Sequence, residues 1–185
     1  MVHEDEYSDG RRYVGEVKDG LWNGRGTLYF PDGGRIEGVW DNGNLNGRGT
    51  HYQAEGNRYE GEFKDGRWHG HGIQYFPDGG RREGEFRGGN LNGRGILNFP
   101  DGGRYEGEFK DGLFHGQGAH YFADGGRYEG EFVNDKRSGR GELRLASGQR
   151  YEGEFEDGLI CGKGIMWSPE GGQLESDYWT KSGQV

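Results

Sequence analysis

Residues Tyr105–Arg127 read YEGEFKDGLFHGQGAHYFADGGR, and the rest of the chain is a set of variations on that string. It returns at Tyr59–Arg81 as YEGEFKDGRWHGHGIQYFPDGGR, and looser copies begin at Tyr13, Ile36, Arg82, Tyr128 and Tyr151. Each copy starts 23 residues after the one before, without insertion or deletion. A fixed period of this length marks a stacked repeat array, in which every unit buries its apolar face on its neighbours. The units run 13–35, 36–58, 59–81, 82–104, 105–127, 128–150 and 151–173. Residues 1–12 form an acidic lead that can supply half a hairpin, and 174–185 begin a partial, capping eighth copy.

Within a unit the opening residues alternate with period two, as a strand requires. Tyr59, Gly61 and Phe63 face one way, and Arg58, Glu60 and Glu62 the other. A tight connection follows (KDG, DNG or NDK), built from residues that accept turn geometry. A second strand runs through Gly70–Phe76, and PDGGR closes the unit with another turn. A helix is excluded, because a glycine every few residues costs about 1 kcal/mol each. The expected fold is all-β: a single-layer antiparallel β-hairpin solenoid, twisted and curved.

Composition agrees with an array and disagrees with a conventional globule. Hydrophobic residues are only 29% and glycines number 42 of 185, yet aromatics reach 14% and recur at fixed places in the period. One face should carry a ladder of arginines (Arg12, Arg35, Arg58, Arg81, Arg104, Arg127, Arg150) with two ladders of glutamates. Opposite charges on adjacent strands contribute about 0.2–1 kcal/mol per pair. The other face should carry Tyr13, Tyr59, Tyr105, Tyr128 and Tyr151 with Trp40, Phe63, Phe86, Phe109, Phe132 and Phe155. Glycines such as Gly61, and in the second strand Gly70 and Gly72, leave room for these rings. Units one, three and five carry an aromatic in the connection (Trp22, Trp68, Phe114), whereas units two and four carry Leu45 and Leu91. Unit six breaks the pattern with Arg137, Glu142 and Arg144, which predicts a change of curvature or a partner contact there.

The string YEGEFKDGxxHGxGxxYFPDGGR resembles the MORN repeat (membrane occupation and recognition nexus), and the likeness spans Tyr13 to Gln173. Departures are Ile36, Arg82 and Leu174 in place of the opening Tyr, Val39 in place of Glu, and the polar unit six. The resemblance implies scaffold or adaptor work in cytoskeletal, ciliary or membrane-associated assemblies, through peptide segments or self-association. It also implies phosphoinositide binding for some members, and it brings no catalytic residues with it.

Candidate chemistry is sparse. Gly158–Lys163 has the wrong glycine spacing for a phosphate loop, and Gly164 stands where Ser or Thr should bind magnesium. Asp19–Gly24 lacks calcium-ligand chemistry at Leu21. His69 and His115 fill a position that is Asn or Ser in other units, which reads as turn polarity and not as a metal site. Cys161, the one cysteine, occupies that same position, so no disulfide and no nucleophile is expected. The reading is therefore non-enzymatic, without cofactor or metal.

The expected function is a scaffold gripping a helical or extended peptide along the aromatic face, through Trp22, Trp40, Phe63, Trp68, Phe86, Phe109 and Phe114. A homodimer through the open end strands near Met1–Arg12 and Tyr178–Trp179 is an open alternative. Lipid attachment is another; Arg25, Arg48, Arg94, Arg140 and Lys163 would supply its cationic stripe. The net charge of −9 weighs against lipid and against nucleic acid. An array without a natural ligand is a third alternative. The polar start MVHEDEYSDG and the scarcity of cysteine lead to the expectation of a cytoplasmic protein.

Overall fold

The computed structural model describes residues 2–179, with side chains described through 173. Every element is a strand. Two compact units, Met1–Leu91 and Asn92–Val185, divide the chain, and the division falls inside the ninth strand. The first unit contains β1 (Val2–Glu6), β2 (Arg12–Lys18), β3 (Leu21–Tyr29), β4 (Arg35–Asp41), β5 (Asn44–Tyr52), β6 (Arg58–Lys64), β7 (Arg67–Tyr75) and β8 (Arg81–Arg87). The second contains β9 (Asn90–Asn98), β10 (Arg104–Lys110), β11 (Leu113–Tyr121), β12 (Arg127–Val133), β13 (Lys136–Arg144), β14 (Arg150–Glu156), β15 (Leu159–Trp167) and β16 (Gln173–Trp179). Strands follow one another in the sheet in chain order, and pairing within each unit is antiparallel. The lead contributes β1, paired from Val2↔Glu16 to Glu6↔Arg12. At the other end β16 pairs with β15; the side chains of Leu174, Tyr178 and Trp179 lie outside the described residues.

The short connections have the geometry that Asp-Gly and Asn-Gly favour. Asp65 (φ 51°) and Gly66 (φ 74°) both lie in the left-handed region, and Lys64 pairs directly with Arg67. That is a two-residue type I′ hairpin, whose twist matches the flanking strands. These turns also tie one repeat to the next: the N–H of Gly66 donates to Leu45 O at 3.0 Å, and that of Gly89 to Trp68 O at 3.1 Å. At the other end of each hairpin, PDGG folds on its own aspartate, as when Gly80 N–H donates to Asp78 Oδ1 at 2.9 Å.

The core is one face of a sheet, built from tyrosines lying across glycines. Tyr13, Tyr59, Tyr105 and Tyr128 have no exposed surface, and Tyr151 almost none. Any side chain at Gly61 or Gly72 would collide with the ring of Tyr59, and the pairs Gly107/Gly118 and Gly130/Gly141 stand in the same relation to Tyr105 and Tyr128. Each phenol then donates back to its own strand, Tyr59 Oη to Glu62 O at 3.0 Å and Tyr105 Oη to Glu108 O at 2.9 Å. Burial pushes these phenols up, Tyr13 to about 12 with Glu16 adding to the rise, and Arg137 opposes it at Tyr128.

Gly70 departs from the expected role. The register slips between Gly61 and Glu62, so that Gly61 pairs with Gly72 but Glu62 pairs with His69. Gly70 (φ 60°) sits in the resulting bulge, and a side chain there would meet the Glu62 carboxylate, not a ring. Only the second glycine of each pair makes room for the tyrosine.

Candidate partner-binding face

The aromatic face of the first unit is organised by stacking. Trp22 lies flat on Tyr13, with centroids 4.7 Å apart and planes 8° from parallel, and Trp68 lies on Tyr59 in the same way at 4.4 Å and 8°. Trp40 stands edge-on to both Trp22 and Tyr13, and Phe86 edge-on to both Trp68 and Tyr59. In the second unit Phe114 stacks on Tyr105 at 3.7 Å and 7°. Edge-to-face and offset pairs contribute about 0.5–1.5 kcal/mol beyond the area they bury.

The seven aromatic residues expected to grip a partner separate into two groups. Trp40, Phe63, Phe86, Phe109 and Phe114 are buried, between 2% and 9% exposed. They are the floor of the face, packed against the tyrosines, and offer a partner little surface. Trp22 and Trp68 are half-buried and form its outer layer. The indole N–H of Trp22 donates to Tyr7 Oη at 2.7 Å, and that of Trp40 to Gly26 O at 3.0 Å; no described residue accepts from Trp68.

The leucine repeats fill the same volume by other means. Ile36 stands where the opening Tyr would be, and Leu45, 1% exposed, packs over Gly38 and Gly49. Leu91 is fully buried at the equivalent place. Tyr with Trp, and Leu beside Ile36 or Arg82, are thus two solutions to one packing problem. Repeat six uses a third, since Arg137 takes the ring's place. Its guanidinium lies 5.7 Å from the Tyr128 centroid and 5.4 Å from that of Phe155, and Nη2 donates to Gly158 O at 2.6 Å.

Two histidines on this face were not singled out by sequence reasoning. His51 stands edge-on to Trp68 at 6.0 Å, and His120 lies against Phe99, Phe114 and Phe122. Burial holds both below the ordinary imidazole range. Their pairing with Tyr59 and Tyr128 was readable from the period, since they occupy the position of Leu28 and Leu143 in other repeats.

The opposite face is charged. Arg35 pairs with Glu37 at 2.6 Å, Arg104 with Glu106 at 2.6 Å and Arg150 with Glu152 at 2.7 Å. Two of these arginines also cover aromatic residues of the following strand, Arg35 over Tyr52 at 3.6 Å and Arg150 over Trp167 at 4.2 Å. The second glutamate ladder works locally: Glu16 accepts from Arg25 N–H and Glu108 from Gln117 N–H, both at 3.2 Å, so these carboxylates serve the bulge amides. In repeat six Arg144 replaces the aromatic, and Glu142 replaces an uncharged residue to meet it. Glu142 lies between Arg144 and Arg150, 2.6 Å from Arg150 Nε, and the arginines hold its carboxyl below the usual range.

The cationic stripe stands on this face. Arg25, Arg48, Arg94, Arg140 and Lys163 are all exposed. Arg48, Arg94 and Arg140 sit directly across from Glu62, Glu108 and Glu154, whereas Arg25 faces Val39. The stripe is therefore interleaved with carboxylates over most of its length. Among the described residues no group of three or more His, Cys, Asp or Glu is placed to hold a metal ion.

The model of the MORN repeat family matches residues 13–35, 37–58, 59–81, 83–104, 105–127, 128–150 and 151–173. The chain belongs to the MORN repeat family. The two matches that begin one residue late skip Ile36 and Arg82, the positions where Leu45 and Leu91 replace the tyrosine-based packing. No curated protein matches the sequence. Among solved structures, the MORN array is similar to the TCP domain of SAS-4 from Drosophila melanogaster, solved in complex with a proline-rich motif of Ana2. Identity is 14% and the TM-score 0.51, over 94% of this chain and 88% of that one. A variant TCP10 domain of CPAP from Danio rerio aligns at 13% identity and TM-score 0.36, over 94% and 82% of the two chains. The Drosophila likeness speaks to the fold alone.

Proposed function

We propose that this MORN array is a non-catalytic scaffold that binds a peptide segment of another protein along its aromatic face. The observation that carries the reading is the pair of half-buried indoles, Trp22 and Trp68, each stacked on a fully buried tyrosine. Such rings are rigid before binding, so little side-chain entropy is lost when a partner covers them. Tryptophans set in a well-packed patch are the typical anchors of an interface. Trp40 braces Trp22 edge-on, and Phe86 braces Trp68 in the same way. The complex of the Drosophila TCP domain with a proline-rich motif supports the choice of a peptide, since an extended proline-rich segment docks well on aromatic surfaces.

The experiment is affinity capture from cell extract with the intact chain beside a Trp22→Ala/Trp68→Ala variant. Both residues lie on top of the packed layer, so the variant is expected to stay folded by circular dichroism. A partner retained by the intact chain and lost by the variant supports the reading. A partner retained equally by both refutes it.

A further inference from the structure

Repeat six places on the aromatic face a cation that no carboxylate meets. On the charged face, arginines such as Arg35 are paired with glutamates, and the pairing raises their affinity for the proton. Arg137 is different. It is half-buried among Tyr128 and Phe155, its one hydrogen bond goes to the carbonyl of Gly158, and among the described residues it has no ion pair. Burial accordingly pushes the Arg137 guanidinium down, opposed only by the nearby Tyr128 phenol, and its charge helps hold His120 down as well. A guanidinium retained in such surroundings keeps several donors for which a carboxylate is the best-matched acceptor.

Beside it is a half-open cavity. About 220 Å³ lies next to Arg137 against Leu143, Tyr151, Leu159, Ile160 and Met166. Pockets for small molecules are larger, roughly 300–1,000 Å³. This one is of a size for a single large side chain. Its walls are mostly apolar; Gln149 and Arg150 also line it, but Arg150 is paired with Glu142 and Glu152, whereas Arg137 has no ion pair among the described residues.

We infer that the Arg137 cavity is a specificity pocket on the aromatic face of the second unit, accepting an apolar side chain of a partner segment while Arg137 pairs with an Asp or Glu beside that residue. The inference rests on the peptide-binding reading above and narrows it to an acidic, apolar segment of a partner protein. It also accounts for the substitution itself. Repeats five and seven carry Phe114 and Ile160 at this position, so packing alone does not call for arginine.

The test is selection of a random dodecapeptide library on the intact chain, on Arg137→Phe and on Trp22→Ala/Trp68→Ala. Arg137→Phe copies repeat five, so folding is expected to survive. Peptides enriched on the intact chain should carry Asp or Glu within two positions of a large apolar residue. They should bind Arg137→Phe about ten-fold more weakly, the scale of a lost charge-assisted hydrogen bond. Because the chain carries −9, moderate salt should speed their association by screening the overall repulsion. Peptides lost on the double tryptophan variant but lacking acid, or binding Arg137→Phe equally, overturn this inference and leave the broader reading standing. Failure to enrich any peptide overturns both.

Discussion

Tyr59 lies flat beneath Trp68, 4.4 Å between centroids, while its hydroxyl reaches past two glycines to the carbonyl of Glu62. The relationship ties stability to function, because the ring that fills the core is the one that holds the exposed indole in place. Gly72 is the position through which it can be broken, since a methyl group there would meet the Tyr59 ring. Gly72→Ala is expected to destabilise the chain by about 1–3 kcal/mol, as overpacking does. Urea denaturation of the variant measures it; an unchanged midpoint would show that the ring can move aside.

The exchange of Tyr13 and Trp22 in repeat one for Ile36 and Leu45 in repeat two predicts non-additive mutations. Ile36→Tyr alone should be destabilising, because Leu45 already occupies the space over Gly38 and Gly49. Leu45→Trp alone should also be destabilising, because no ring lies beneath it. The double variant recreates the arrangement of Tyr13 with Trp22, and it should recover 1 kcal/mol or more relative to the sum, about the coupling of residues in contact. Denaturation of the four proteins in the cycle decides it, and additivity would mean that the two pairs are not alternatives.

Charge gives repeat six a signature at low pH. Glu142 is held below the usual carboxylate range by Arg144 first and then by its burial-opposed pairing with Arg150. A carboxyl lowered in the folded state stabilises it above its unfolded value, near 4.5, and that contribution disappears as pH falls through the folded value. Glu142→Gln should therefore lower the melting temperature at pH 7 and have little effect below about pH 3. An equal loss at both pH values would point to packing.

The imidazoles predict a slope of the same sign at higher pH. His51 and His120 are held down by burial, His120 also by Arg137. A base lowered in the folded state costs nothing above its unfolded value, near 6.5, and its protonation favours unfolding as pH falls below that. His51→Gln, which copies Gln74 in the next repeat, should flatten the loss of stability between about pH 6.5 and 5. A thermal melt series across that range reads the difference.

Much of the fold was legible because alternation and turn chemistry are local. Tyr59, Gly61 and Phe63 against Arg58, Glu60 and Glu62 already separate the two faces, and Asp65-Gly66 already implies the two-residue turn. What could not be read depends on register. The bulge after Gly61 moves Gly70 away from the ring and turns glutamates such as Glu16 and Glu108 toward bulge amides. The aromatic face was visible, but not which rings lie on top of which. The sequence alone does not show that Trp40, Phe63, Phe86, Phe109 and Phe114 lie under the surface while Trp22 and Trp68 remain at it. Phe114 stacks on Tyr105 as the indoles do on their tyrosines, but Phe99, His120 and Phe132 also meet it, contacts between strands that the period does not show.

The measurement that tests the account most directly uses the five tryptophans as reporters, with nitrogen-15 indole signals recorded while a captured peptide is titrated in. Trp22 and Trp68 should shift in proportion to binding. Trp167, which lies under Arg150 on the charged face, should stay where it is. Movement of Trp167 with Trp22 and Trp68 unmoved would place the partner on the opposite face and contradict the central claim.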